Sequence, residues 1–390
     1  MKLAFLIVFL ITAYAMLHTY VVYPLILLLI TKNKKNKNKI QYTQQDELPS
    51  IAVVCAAYNE AKVIEEKIIS TFQTNYPKEK ITFYIGTDAC SDQTVPIIKR
   101  LQASYPNLVL EEFTSRTGKI GIINKLCPQA NGEILIMTDA NVFFRKDTFF
   151  HLVKHFKNSD VQMVCGNIQK RALNTEAVTT NELQYMNLEN HVKYAESKEW
   201  STVMGAEGGC YAFLKEAYKK VPGNFNVDDF FISCLAMRNK KHILFEPEAL
   251  VDEDLAANTK DEFRRKARIA TGNFQNLFYF KDLLLQFYTG QGFAFISHKV
   301  LRWLTPFFFL MNYIACVMLI PMHLVFTVIF LGELLLLLTP ALNWLFEKMK
   351  IRIRLLISLA HFVVMNAALF VGFVRYSKGV GSSVWQPVDR

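Results

Sequence analysis

The sequence predicts an α/β fold, Rossmann-like, with a mostly parallel sheet and helices on both faces, joined to transmembrane α-helices. Three observations predict it. Short β-branched runs alternate with amphipathic stretches between residues 50 and 156, the pattern of parallel strands linked by crossover helices. Polar residues gather at the ends of those runs, where such sheets bind ligands. Two nearly continuous apolar regions, residues 3–30 and about 300–376, bracket the rest.

In order, residues 50–57 form a short apolar run that reads as a buried strand. Residues 60–72 carry Val63, Ile64, Ile68 and Ile69 at helical spacing. Strands over 81–87, 108–113 and 133–138 alternate with helices over 94–105, 119–127 and 146–156. From Val161 the pattern changes to a strand over 161–168, a helix over 180–196 and a small-residue patch over 205–211. A helix over 229–237 and a short strand over 242–245 follow, the latter stopped by Glu246-Pro247-Glu248. Residues 259–280 make a basic, then aromatic, amphipathic helix. Its Phe274, Leu277, Phe278 and Phe280 suit either a bilayer surface or a core helix packed on the sheet.

Crossing a bilayer takes roughly 20 apolar residues, which predicts spans near 3–30, 300–320, 324–346 and 355–374. The first is longer than the core of a cleaved signal and lacks an Ala-x-Ala-like end. The net charge is +10, but the basic residues track membrane edges rather than interleaving with aromatics, so no nucleic acid is expected. Lys32, Lys34, Lys35, Lys37 and Lys39 follow the first span; Lys348, Lys350, Arg352 and Arg354 precede the last. Both clusters fall inside if the N-terminus is outside. The expectation is therefore a multi-pass protein, in a bacterial inner membrane, with its central part cytosolic. The segments are a first span (1–30), a basic linker (31–49), a cytosolic domain (50–272), an interfacial segment (273–298), three spans (299–376) and a tail (377–390). Seven Cys without zinc spacing predict free thiols.

At the strand ends lie Tyr58, Asn59 and Glu60, then Asp88, then Asp139 and Asn141. One aspartate at such a position is often a turn or capping residue. Two at strand ends, aimed at one crevice, suit a divalent cation held against a diphosphate, since Mg²⁺ takes one or two carboxylates plus phosphate oxygens. Thr117-Gly118-Lys119 adds a cation on a turn that glycine permits. Further on, Asp228-Asp229 follow the patch at Gly208-Gly209. No Gly-x-Gly-x-x-Gly ends the first strand and no Gly-x-x-x-x-Gly-Lys-Ser/Thr occurs, which excludes dehydrogenase and P-loop readings.

These motifs resemble those of family 2 glycosyltransferases. Cys55-Ala56-Ala57-Tyr58-Asn59-Glu60 is similar to their opening Pro-x-Tyr-Asn-Glu, and Thr87-Asp88-Ala89-Cys90-Ser91-Asp92 to Ser-Asp-Gly-Ser-x-Asp. Gly118-Lys119 with Asn124 resembles Gly-Lys-x-x-x-x-Asn, Thr138-Asp139-Ala140-Asn141 the Asp-x-Asp motif, and Asp228-Asp229 the Glu/Asp-Asp pair. The resemblance spans roughly residues 51–272, and the membrane layout looks like that of the branch with cellulose, hyaluronan and poly-N-acetylglucosamine synthases. It implies a GT-A-type fold and a metal-dependent, inverting transfer from a nucleoside-diphosphate sugar to a lipid-linked or polysaccharide acceptor. By that resemblance Ala57, Tyr58, Glu60 and Asp88 hold the nucleoside, Lys119 and Arg268 the diphosphate, and Asp139 the Mg²⁺ or Mn²⁺. Asn141 meets sugar or phosphate; Gly208, Gly209, Cys210 and Asp228 line the acceptor side, and Asp229 is the base. Two departures matter. Asn141 replaces the second Asp of Asp-x-Asp, and Arg265-x-x-Arg268-Ile269 stands where the polymerising synthases carry Gln-x-x-Arg-Trp. Losing the Trp platform favours single-sugar transfer over a processive synthase. The reading from a different class is a membrane nucleotide-sugar-binding protein without catalysis; keeping Lys119, Asp229 and Arg268 together argues against it.

Overall fold

The computed structural model describes residues 1–35, 38–171, 177–254 and 259–380. Lys37 of the basic linker and the tail from Gly381, with Trp385, lie outside them. The chain divides into two compact units, one of Met1–Ile30, Thr175–Leu188 and Asn258–Gly379, the other chiefly of Thr31–Asn174 and Glu189–Ala257.

The second unit is built on an eight-stranded mixed sheet of order β3-β2-β1-β4-β7-β6-β8-β5. Its strands are β1 (Ile51–Ala57), β2 (Ile81–Asp88), β3 (Leu108–Phe113), β4 (Ile134–Asp139), β5 (Val142–Phe144), β6 (Val161–Arg171), β7 (Cys210–Leu214) and β8 (His242–Asp254). The first four pair in parallel, as the alternation of runs and helices requires. Both faces of β1, β2 and β4 are covered, and Ile51, Val53, Ile85, Ile136 and Leu135 are fully buried. Beyond β4 the sheet reverses, because β7 pairs antiparallel with both β4 and β6.

Where sequence and structure differ, the cause is local. Two short strands, β5 and β7, carry too few residues to show a period of their own. The strand expected to stop at Phe245 runs on to Asp254. Between Cys165 and Asn167 on β6 the register jumps from Phe245 to Leu250, so Pro247 sits in a bulge where its missing N–H costs no ladder bond. Asn167 Nδ2 donates to Pro247 O at 3.0 Å and closes that bulge. The helix expected from Glu60 begins at Ile64, since Asn59 adopts φ 53° and the next two N–H groups are taken by another loop, described below. All seven cysteines are free thiols.

Among the described residues, four helices are long and apolar enough to cross a membrane: Lys2–Thr31, Thr305–Met322, Leu324–Lys348 and Arg354–Ser377. Asn312 Nδ2 on the second donates to Thr12 Oγ1 (2.7 Å) and Phe9 O (2.9 Å) on the first. On the helix Thr259–Tyr279 the residues suited to a bilayer surface divide, with Phe278 48% exposed and the others covered by protein. Phe274, Leu277 and Phe280 are buried; Phe274 meets Phe373 edge-on at 5.2 Å, and Phe278 stacks on Tyr376 at 5.1 Å. The aromatic stripe packs on the last long helix, and the close approach is set by Gly372, where an added Cβ would lie 2.4 Å from the Ala270 Cβ.

Candidate active site

The ends of β1 and β2 and the turns that follow are zipped together. Glu60 N–H donates to Thr94 Oγ1 at 2.8 Å and Ala61 N–H to Asp92 Oδ2 at 3.1 Å. Ser91 N–H donates to Asn59 Oδ1 at 2.9 Å. Burial would raise the Asp92 pKa, but bonds from the Thr94 hydroxyl and N–H and from Ala61 N–H outweigh it and hold it below the usual value. Ala57 is buried at the strand end, with Tyr58 and Glu60 half-buried beyond it.

Asp88 is 2% exposed, and its carboxylate is engaged from within the chain. It accepts Thr117 N–H (2.5 Å), Gly118 N–H (3.1 Å) and Arg116 Nε–H (3.0 Å). It therefore shapes the turn that opens the helix Gly118–Gln129, where Gly118 takes φ 76°. Arg116 in turn lies over the Tyr58 ring, 3.5 Å from its centroid, a cation–π contact that joins the first and third motifs. Sequence reasoning missed Arg116; its signal was a cation two residues before Gly118. Asn124, quoted with the Gly-Lys motif, serves architecture: Oδ1 accepts Tyr218 Oη–H and Val221 N–H, and Nδ2 donates to Val221 O.

Lys119, one residue into that helix, meets the acids. Its Nζ donates to Asp139 Oδ1 at 2.8 Å and lies 3.8 Å from Asp228 Oδ1. Burial by itself would lower the Lys119 pKa, but Asp139, Asp228 and Asp229 outweigh it and raise it. Asp228 and Asp229 begin the helix Asp228–Arg238. Asp228 is turned inward, with Tyr211 Oη 3.4 Å from its Oδ2. Burial, then the neighbouring Asp228 charge, raises the Asp229 pKa to about 7 against the opposing pull of Lys119.

Gly208 leaves the space between these groups open. A Cβ there would lie 3.1 Å from Asp229 Oδ2, 3.2 Å from Lys119 Nζ and 3.9 Å from Asp139 Oδ2. Any side chain would enter the gap between the strand-end acid and the helix-end acid. Gly209 faces apolar neighbours instead, Ile168 and Val142. Cys210 corrects the acceptor-side expectation: it begins β7, is 1% exposed, and aims its sulfur at Gly166, so its side chain lines no open surface. Asn141 is buried, while the Asp139 side chain is 42% exposed. Arg268 lies half-buried on the helix Thr259–Tyr279, in the other unit.

The donor set suits the expected cation. Three carboxylates surround one ammonium beside a side-chain-free glycine, and oxygen-only donors of this charge fit Mg²⁺ or Mn²⁺. Asp139, its side chain 42% exposed, is the residue that would hold it. His151, Glu246 and Glu248 also cluster, but Lys154 Nζ lies 3.2, 3.0 and 3.3 Å from their polar atoms. That acidic charge is met by an ammonium of the chain itself.

Known proteins are similar to this chain. The chain is 25% identical over 254 residues to a β-monoglucosyldiacylglycerol synthase of Trichormus variabilis, covering 63% of this chain and 53% of that protein. It is 23% identical over 221 residues to a poly-β-1,6-N-acetyl-D-glucosamine synthase of Staphylococcus epidermidis, covering 55% and 52%. The match thus spans about half the length of these curated relatives. Among solved structures, a mannosyltransferase of Pyrobaculum calidifontis in complex with GDP-Man and Mn²⁺ aligns with a TM-score of 0.68 at 21% identity, over 95% of this chain and 99% of that one. This likeness establishes the GT-A fold. Residues 49–272 match the sequence profile of the family described as Glycosyltransferase like family 2. With more than half of its length matched by that profile, the chain belongs to this family.

Proposed function

We propose that the protein is a membrane-bound, inverting, metal-dependent glycosyltransferase that moves one sugar from a nucleoside-diphosphate sugar to a membrane-associated glycolipid or polysaccharide acceptor. The observation that carries this reading is the gap at Gly208, where Asp229, Lys119 and Asp139 meet across a space closed to side chains. One side supplies charge for a leaving diphosphate; the other supplies a base. The nucleoside lies at Ala57, Tyr58 and Glu60, with Asp88 acting through the Arg116–Gly118 turn it holds. Lys119 neutralises charge that develops on the departing diphosphate. When bound at Asp139, a divalent cation supplies further neutralisation of that charge. Asp229 Oδ2 accepts the proton of the acceptor hydroxyl as its oxygen attacks the anomeric carbon and the bond to the diphosphate breaks. A single displacement with no protein nucleophile inverts that carbon. The raised pKa of Asp229 suits the task, because a base poised near neutrality accepts a proton with the best compromise of strength and ionised fraction.

A membrane acceptor is supported by the four long apolar helices and by the names of the two relatives, one a glycolipid synthase and one a polysaccharide synthase. The basic residues after the first span and before the last support a cytosolic catalytic unit in a multi-pass, inner-membrane protein. Ile269 in place of the Trp platform favours single transfer.

The test is release of nucleoside diphosphate from a panel of nucleotide sugars, using detergent-purified protein with membrane lipid extract. Wild type should release it from one donor, chelation should stop it, and Asp229→Asn should reduce it by roughly 10²–10⁴-fold with nucleotide binding intact. Binding without release from any donor, even after native membranes are added, would move the non-catalytic binding reading ahead.

A further inference from the structure

Lys67 takes no part in the chemistry above, yet it is fully buried on the helix Ile64–Phe72. Taking an ammonium out of water costs several kcal/mol unless its hydrogens are satisfied, and burial lowers the Lys67 pKa to about 8. Neutral groups satisfy it. Nζ donates to Thr138 Oγ1 at 2.7 Å and to Val142 O, and lies 3.8 Å from the centroid of the Phe144 ring. Thr138 Oγ1 passes the chain on, donating to Gly209 O at 2.9 Å.

The placement of these partners is what matters. Thr138 immediately precedes Asp139, Val142 immediately follows Asn141, and Gly209 follows Gly208. A buried apolar side chain of similar length would fill the same volume without the desolvation cost. It would leave the Val142 carbonyl without this donor and break the link through Thr138. An ammonium, with three directional hydrogens, grips several points at once. Asp139 also lies close enough for its charge to act on Lys67.

Resting on the function proposed above, we infer that Lys67 is a positioning residue. Its ammonium fastens both ends of the Asp139–Asn141 turn and, through Thr138, ties that turn to the Gly208–Gly209 segment. Asp139 is thereby held to receive a divalent cation in register with Asp229. Lys67 itself touches no substrate.

The test compares wild type, Lys67→Met, Thr138→Val and Thr138→Ser as full-length protein in detergent. Mn²⁺ binding is measured by the paramagnetic resonance of free Mn²⁺, with UDP or GDP at saturation, beside thermal unfolding in chelator. Lys67→Met should weaken Mn²⁺ binding at least about tenfold in the folded protein, a factor equal to 1.4 kcal/mol. Thr138→Val should weaken it less, and Thr138→Ser should match wild type. A purely structural lysine would lower the melting temperature and leave the Mn²⁺ constant of the folded fraction unchanged, which overturns the inference. If Lys67→Met does not fold, equal Mn²⁺ affinity in Thr138→Val and Thr138→Ser overturns it in the same way. Wild type that binds no Mn²⁺ with either nucleotide would instead overturn the proposed function and this inference with it.

Discussion

Asp229 heads a helix, where backbone N–H groups and the helix dipole favour a carboxylate, and Phe230 N–H donates to its Oδ1 at 2.6 Å. Burial and the adjacent Asp228 charge still prevail and keep it protonated to about 7. An unfolded aspartate ionises at about 3.9, so its folded pKa is the higher of the two. The folded state then binds more protons between those values, and this residue's contribution to stability is lost as pH rises from roughly 4 to 7. In metal-free protein, the melting temperature of Asp229→Asn minus that of wild type should therefore grow across that window. A flat difference, read by thermal unfolding in chelator, would mean that Asp229 titrates normally. Transfer by wild type should climb through the neutral range instead of levelling off by about pH 5, where an ordinary carboxylate is already ionised.

At the scale of elements, the site is made by ends rather than by middles. The acids stand at the carboxyl end of β4 and the first turn of the helix Asp228–Arg238, and Lys119 stands in the first turn of the helix Gly118–Gln129. Each end is fixed by a neighbour: Asp88 holds the turn before Lys119, and Thr94 and Asp92 hold the turn after β1. In the other unit, the helix Thr259–Tyr279 depends on its closeness to Arg354–Ser377 at Gly372. Gly372→Val would force these helices apart and should destabilise that packing by about 1–3 kcal/mol. Thermal unfolding in detergent and the protease sensitivity of residues 259–279 would report it; an unchanged protein would show that the two helices do not need this contact. The stripe of Phe274, Leu277 and Phe280 was legible as amphipathic. Its covering was not, because a lipid surface and a Phe-rich helix present the same apolar face.

For the whole molecule, the four long helices fit the bilayer by length. Leu324–Lys348 has 25 residues, a rise of about 37 Å at ~1.5 Å per residue, against a hydrocarbon core of about 30 Å. With the linker lysines inside, the next two crossings, Thr305–Met322 and Leu324–Lys348, return the loop containing Lys348, Lys350, Arg352 and Arg354 to the inside as well. A cysteine introduced at Lys39 should resist an impermeant thiol reagent in intact cells and react once the membrane is opened. Labelling from outside would reverse the topology and with it the proposed cytosolic placement of the catalytic unit.

The sequence alone determined the alternation of strands and helices through β4, the apolar spans, and the candidate acids at Asp139, Asp228 and Asp229. These signals are local: hydrophobic period, length, and the polar residue that ends a buried run. Tertiary structure decided the rest. It reversed the sheet at β7 and carried β8 past Pro247, because strand pairing depends on partners far along the chain. It turned the Cys210 side chain into the core and Asp88 onto the Arg116–Gly118 turn, because only folding shows which oxygens are already filled. It also brought Arg116 over Tyr58 and set Lys67 behind Asp139. A buried lysine among isoleucines looks in sequence like one more polar face of a helix; its meaning comes from the two carbonyls and one hydroxyl that it links, residues that the chain separates by up to 142 positions (Lys67 to Gly209).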